Sequence, residues 1–395
     1  MQFLGKKTGY VGVDIGSASL KVVELKEDKG RPRLVTYGYT EQETNVIKSD
    51  SLETQDYIIE AIKTILVKAR VTSRNVVSAL PSFAVFSSVI SLPSMPQKEL
   101  IQAIRWEAKK FVPMPIEEMV LDWKVLKNEH EKGEESANLG RKPATELQVP
   151  AMSTQEEHKE PKSDLTRVFA NPFKKKEDST NPEKAVQVLL TAAPKSLVDR
   201  YVTIFQKANL KLVSLETQAF ALQRSLIGND QSAIMILDIG AVSTDISVVV
   251  KGIPVLNRSI DVGGESLTKA IGNSMNVDHA RAEQFKRDFG LTNFGDATKI
   301  PKAIEFVFSS IVNEIQYVLN LYSGQHETAI EKIILAGGSA FLPHLTEHLS
   351  TTLKIKTYIG DPWARIVYPV DLKPVLAELG PRFAVALGLA MREIV

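Results

Sequence analysis

One pattern occurs twice in this chain and constrains its fold more than any other feature. Val11-Gly12-Val13-Asp14-Ile15-Gly16-Ser17 matches Met235-Ile236-Leu237-Asp238-Ile239-Gly240-Ala241 in its apolar run, its Asp-Ile-Gly core and its small-residue turn. A β-rich run follows each copy, Leu20–Lys26 and Asp245–Val250, so each reads as a β-hairpin. The copies stand about half of the 395 residues apart, which predicts two domains, residues 1–227 and 228–395, each opened by one copy. Two such hairpins facing across a cleft would offer two carboxylates and two sets of turn amides to one ligand. Gly turns suit phosphate oxygens, because no Cβ blocks the backbone N–H groups. Asp14 and Asp238 would repel a polyphosphate unless a hard divalent cation, normally Mg2+, sat between them. A third Gly pair, Gly337-Gly338, follows the buried-strand run Lys332–Ala336 and strengthens the phosphate reading.

Composition removes several other classes. Lys plus Arg number 48 against 47 Asp plus Glu, a net charge of +1, so no global field draws the chain to nucleic acid or anionic lipid. Cysteine is absent, which excludes disulfides, thiolate zinc sites and cysteine nucleophiles. The longest apolar stretch, Phe383–Met391, is about half a membrane span, and Met1–Thr8 lacks the apolar core of a signal peptide. The expectation is a cytosolic protein with no direct membrane span. His344 and His348 share helical spacing, but no acidic third ligand stands at metal-motif spacing, so a solvated helix face is expected.

Between the repeats the pattern predicts a strand at Val76–Leu80, another at Ala84–Leu92, a helix at Lys98–Phe111 stopped by Pro113 and Pro115, and a strand at Met119–Leu126. Lys127–Lys184 differs in kind. Its 58 residues mix both charges with five prolines and few large apolar side chains, a composition that predicts a disordered insertion at a hairpin tip. After the second hairpin come predicted helices at Glu265–Ser274, Asp278–Phe289, Pro301–Tyr322, Leu342–Leu353 and Arg382–Glu393.

These motifs resemble the superfamily of actin, sugar kinases and heat-shock chaperone ATPases. The resemblance implies an α/β, two-domain actin-like ATPase fold with duplicated ribonuclease-H-like halves, binding ATP with Mg2+. Asp14–Ser17 is similar to the first phosphate loop, Asp238–Thr244 to the second, and Leu335–Ser339 to the adenosine loop. Lys21, seven residues after Asp14, matches a phosphate-reaching lysine, and Ala282–Lys286 resembles a helix whose Glu and Lys border the adenosine. By resemblance, Asp14 and Asp238 hold Mg2+ through its waters. Gly16, Ser17, Lys21, Gly240, Thr244 and Gly264 lie at the phosphates, and Glu283, Lys286, Gly337, Gly338 and Ser339 at the nucleoside. Glu216, in the connection between the halves, falls where relatives keep an acidic or amide residue near the attacking water, and is the candidate catalytic residue; a surface helix cap is the alternative. Val242 stands where relatives usually have a small residue.

Within the superfamily the chain resembles the PilM family of type IV pilus assembly proteins. Gly12–Leu25, Leu189–Pro194, Val262–Thr268 and Val385–Ala390 carry the likeness, and Trp106-Glu107-Ala108 with Pro113 discriminates most sharply. It implies a small α/β module inserted at about residues 83–194. It also implies a grip on the cytoplasmic N-terminal tail of a PilN-like bitopic membrane protein, and a place at the inner membrane held through protein partners. Ile101, Ile104, Trp106 and Phe111 are the candidate partner-binding residues, other pilus platform proteins are candidate partners, and self-association is left open. Two other classes stand behind this one: a cell-division actin homologue of the FtsA kind and a small-molecule kinase. FtsA-like chains usually carry an amphipathic helix after a linker, whereas the final predicted helix here has no linker behind it.

Overall fold

The computed structural model describes residues 9–41, 51–112, 114–126, 185–291 and 299–395. The predicted insertion at 127–184 lies outside the described residues.

The sequence repeat is a repeat of topology. In the first half β1 (Tyr10–Ile15) pairs antiparallel with β2 (Ser19–Asp28), which pairs with β3 (Arg31–Glu41). On its other side β1 lies parallel to β4 (Asn75–Leu80), and β4 to β8 (Lys211–Thr217), giving the order β3-β2-β1-β4-β8. The second half repeats this with β9 (Ile234–Ile239), β10 (Thr244–Val250), β11 (Ile253–Ile260), β12 (Lys332–Ala336) and β13 (Lys356–Ile359), in the order β11-β10-β9-β12-β13. β1 and β9 are central strands covered on both faces, which is why their sequences are continuous apolar runs rather than alternating ones.

Helices cover the sheets where their periodicity places an apolar stripe. α1 (Leu52–Lys68) starts at Ser51, whose hydroxyl accepts the Thr54 N–H, and buries Ile58, Ile59, Ile62, Ile65 and Leu66 on the first sheet. α3 (Lys195–Lys207) packs beside it through Val198, Tyr201, Ile204 and Phe205. In the second half α5 (Gly264–Met275), α6 (His279–Phe289) and α7 (Lys299–Ser323) close over one face, with Ile304, Phe308, Ile311, Ile315 and Val318 of α7 in the core. His344 adopts a left-handed backbone at the head of α8 (Leu345–Leu353), and the His348 ring sits edge-on to Phe308 at 5.7 Å. The two histidines therefore do not share a helix face.

A small third sheet, in the order β5-β7-β6, is built from β5 (Phe86–Pro93), β6 (Met119–Leu126) and β7 (Ala185–Pro194). α2 (Gln97–Phe111) packs on it with Ile104 and Ala108 fully buried.

The last helix departs from expectation. α9 runs Lys373–Met391, beginning nine residues before the predicted start, with Pro381 inside it. Proline in a helix interior costs about 3 kcal/mol. Burial outweighs it, because Phe383, Ala386, Leu387, Ala390 and Met391 pack with Val23, Leu25, Leu34 and Trp363 under the first sheet. The chain thus returns from its second half to seal the first. The approach is so close that a Cβ at Gly12 would strike the Ala386 carbonyl, and one at Gly388 the Ala221 carbonyl. Val370–Met391 is long and apolar enough to cross a membrane by composition, yet 67% of its apolar 18-residue window is buried within the fold, as suits a core helix.

Candidate functional site

The two Asp-Ile-Gly hairpins open onto one cleft of ≈ 710 Å³ between the halves. Each turn closes in the same way: the Gly16 N–H donates to the Ser19 carbonyl at 3.1 Å, and the Gly240 N–H to the Ser243 carbonyl at 2.9 Å. Asp14, Gly16, Ser17 and Lys21 line the cleft from one side, and Asp238, Gly240, Gly264 and Gly337–Ser339 from the other. Those predicted residues are brought together.

At one cleft-lining register position the hairpins differ in charge. On β1 Asp14 lies opposite Lys21, and on β9 Asp238 lies opposite Asp245. Lys21 Nζ is 3.0 Å from Asp14 Oδ2, and both residues are buried. The second hairpin has two carboxylates in place of that ion pair. Withdrawal from water, then the charges of Asp245 and Asp14, push the Asp238 carboxyl from 3.8 up to about 7, against the pull of Lys21. Burial likewise raises Asp245 to about 6, opposed by the nearby hydroxyls of Ser259 and Ser82. Asp245 Oδ1 is buried with no partner. A cation entering here would relieve the repulsion.

Past Asp238 the chain of β12 ends in Gly337, whose φ is +84°. A Cβ there would collide with Asp238 Oδ1 and the Ile239 carbonyl, so only glycine lets this loop lie on the carboxylate. The Gly337 N–H donates to the Pro381 carbonyl of α9, and the Ser339 N–H to the Ile239 carbonyl. Opposite this loop, Glu283, Thr268 and Lys286 form a buried knot. Lys286 Nζ donates to Glu283 Oε2 at 2.6 Å, to Thr268 Oγ1 at 2.9 Å and to the Gly264 carbonyl at 3.1 Å. Burial would raise the Glu283 carboxyl, but hydrogen bonds from Lys286 and Thr268, the Lys286 charge and the Arg287 guanidinium hold it at about 2. Lys286 is thereby fixed beside the cleft wall, and Phe341, 44% exposed, is an aromatic surface on the same side.

Two predicted residues are placed elsewhere. Thr244 is fully buried and its hydroxyl donates to the Val262 carbonyl at 2.6 Å, so it ties the turn to the chain entering α5 and does not line the cleft. Glu216 is not at the cleft either. Both its oxygens accept from Arg224 at 2.9 Å, with Arg392 3.7 Å away, which makes it a structural ion pair. The cleft residue from that connection is Gln218, two positions later, at the start of α4 (Gln218–Leu222). The sequence reading missed Gln218, Ser82 and Asp245. Asp245 was legible, since it follows Asp238 by the same seven residues that separate Lys21 from Asp14.

The partner-binding candidates divide by helix face. Ile104 is a core residue of the small module and cannot meet a partner, Ile101 is half-buried, and Trp106 is 73% exposed. The Phe111 side chain lies outside what the structure describes.

The sequence profile described as "Type IV pilus assembly protein PilM" matches residues 12–145 and 172–394. The structure is similar to that of a PilM-PilN type IV pilus biogenesis complex, at 27% identity and a TM-score of 0.75, covering 98% of both chains. Similarity extends to the ethanolamine utilization protein EutJ from Carboxydothermus hydrogenoformans (15% identity, TM-score 0.51, 97% of this chain and 89% of that one). It extends also to MreB5 of Spiroplasma citri bound to ADP (12% identity, TM-score 0.50, 98% and 96%), and these two show the shared actin-like fold alone. Cell division protein FtsA of Bacillus subtilis (strain 168) is 24% identical over 132 residues, a match spanning 31% of this chain and 30% of FtsA. With the profile running from the first Asp-Ile-Gly hairpin to the end of α9, this chain belongs to the type IV pilus assembly protein PilM family.

Proposed function

We propose that this protein binds Mg-ATP in the cleft between its halves and holds the N-terminal tail of a PilN-like bitopic membrane protein. It would sit at the cytoplasmic face of the inner membrane through that partner. The observation that carries the pilus reading is the full-length likeness to a solved PilM-PilN complex. The nucleotide reading rests on the cleft itself and on MreB5, a structure of the same fold that is bound to ADP. Residues 1–227 and 228–395 are the two actin-like domains, with residues 83–194 inserted in the first.

The residues fit the cofactor. Buried carboxylates with raised proton affinity and an unpartnered Asp245 Oδ1 call for a cation, and glycine at 337 leaves room that a Cβ would fill. Among the described residues no three His, Cys, Asp or Glu groups form a cage for a metal ion. Mg2+ would therefore be held by nucleotide phosphates and water, with Asp14 and Asp238 behind the water. Once bound, the cation would neutralise phosphate charge; Gly16, Ser17, Gly240 and Lys21 would position the phosphates, and Glu283, Lys286 and Gly337–Ser339 would bound the nucleoside. Gln218 and Asp245 take the place at the reacting end that the sequence assigned to Glu216.

Thermal melts with and without Mg-ATP test the cleft. At a hundred times its dissociation constant a ligand stabilises by about 2.7 kcal/mol, so wild type gains several degrees and Asp14→Ala gains none. Calorimetry with a PilN-like N-terminal peptide tests the partner; the expected affinity is micromolar, about −8 kcal/mol. No binding by a protein that does respond to nucleotide would sink the pilus half of the reading and leave the other half standing.

A further inference from the structure

Behind the nucleotide cleft lies a second cavity, of ≈ 930 Å³, and a single turn divides the two. Leu197 and Arg200 of α3 line it from the first half, Asn257 and Ser259 of β11 from the second. Pro81, Ser82 and Phe83 line both cavities. That turn leads from β4 directly into β5, the strand by which the small sheet joins the first half. Whatever moves the turn moves the root of the small module and the wall of the second cavity together.

Ser82 has two acceptors and one hydroxyl hydrogen. Its N–H and its hydroxyl both donate to Gln218 Oε1, at 3.3 and 2.8 Å. On the other side, Asp245 stands opposite Ser259 in the β10–β11 register, and β11 packs against the Ser82–Ala84 turn. Asp245 Oδ1 and Ser259 Oγ are both buried without a partner, and the Ser82 hydroxyl stands near enough to Asp245 to lower its proton affinity while it donates to Gln218. An unsatisfied buried carboxylate oxygen costs free energy that a donor turning towards it would recover. Gln218 and Asp245 both line the nucleotide cleft, so a ligand there touches each acceptor directly.

We propose that Ser82 is a two-position latch, its hydroxyl serving Gln218 in one arrangement and Asp245 in the other, so that a nucleotide engaging either acceptor resets the Pro81–Ala84 turn and the small module rooted in it. A latch of this kind meets the requirement that coupling arise from different contacts in two states. It also gives the cavity behind the turn a shape that depends on what occupies the cleft. The proposal rests on the nucleotide reading above.

Hydrogen exchange of β5 and β7, followed with and without Mg-AMPPNP, reads the latch, while thermal shift on the same samples reads binding separately. Wild type should bind and change its exchange in these strands by about fivefold or more. Ser82→Ala should lose the response even at nucleotide concentrations that saturate it by thermal shift, and Ser82→Thr, which keeps a hydroxyl, should retain it. Should Ser82→Ala fail to fold, Gln218→Met removes the competing acceptor and should abolish the response in the same way. Nucleotide binding with no exchange response in wild type, or a full response in the hydroxyl-less variant, overturns the latch. Absence of any thermal shift in wild type overturns the nucleotide reading and the latch with it.

Discussion

The two hairpins at the centre of this molecule share a backbone and differ in charge. In the first, Asp14 faces Lys21 across the strand pair, and the site is internally neutralised. In the second, Asp238 faces Asp245, and two carboxylates are withdrawn from water with nothing of opposite sign on their own hairpin. Duplication of the fold therefore did not duplicate the chemistry. On the proposed reading, the first hairpin would bring a cation of its own to the phosphates, and the second would receive one. A pair of identical hairpins would either hold a polyphosphate without a metal or repel it from both sides.

The largest effect should come from breaking the neutral side. Lys21→Ala leaves Asp14 buried beside Asp238 without its partner, and loss of one member of a buried pair costs about 3 kcal/mol or more. Chemical denaturation should show that loss together with weakened Mg-ATP binding.

Charge removal on the other hairpin should act in the opposite direction. Asp238 has a folded value of about 7, above its unfolded value near 4, so the folded state holds this proton more tightly. Its contribution is fully present below about pH 4 and is lost as pH rises through 7, and Asp245, at about 6, acts in the same sense. The nucleotide-free protein should therefore lose melting temperature between pH 5 and 8, on the order of a few degrees. Asp238→Asn should flatten that profile, melt higher than wild type at pH 8, and bind nucleotide without benefit from Mg2+.

How far the sequence could be read follows the same contrast. Asp14, Gly16, Asp238, Gly240 and Gly337 were legible because a strand, a Gly turn and a charge repeat locally, and local patterns survive translation into structure. The sequence does not separate Glu216 from Gln218, because ion pairing to Arg224 and to Arg392, the latter far along the chain, holds Glu216 away from the cleft that Gln218 lines. Pro381 hid the first turns of α9 because its local cost is offset by burial against β1 and β2, strands more than 340 residues earlier. Ile104 and Trp106 share a helix, and periodicity does not say which of its faces the small sheet takes.

A smaller effect tests the side of the cleft proposed to bound the nucleoside. Glu283→Gln removes a carboxylate held at about 2, whose contribution is present above its ordinary value of 4.5 and fades as pH falls towards 2. The variant should lose about 1 kcal/mol at neutral pH, under half of that at pH 3 and nearly nothing below pH 2, and bind nucleotide more weakly, all measurable by melting across pH. The smallest effect on stability belongs to Trp106→Ala. An exposed side chain away from the core should change stability by less than about 0.5 kcal/mol, while peptide calorimetry should show weaker binding of the PilN-like tail.

The central claim, that the second hairpin is charged to receive a metal-bound nucleotide, is tested most directly by counting protons. Mg-ATP is titrated into wild type and Asp238→Asn at pH 6.5, in buffers of differing ionisation enthalpy. At that pH Asp238 is largely protonated in the free protein, and a cation brought against it should expel up to about one proton. Wild type should release that proton on binding and Asp238→Asn should release none. Binding with equal proton release in the two proteins would contradict the account.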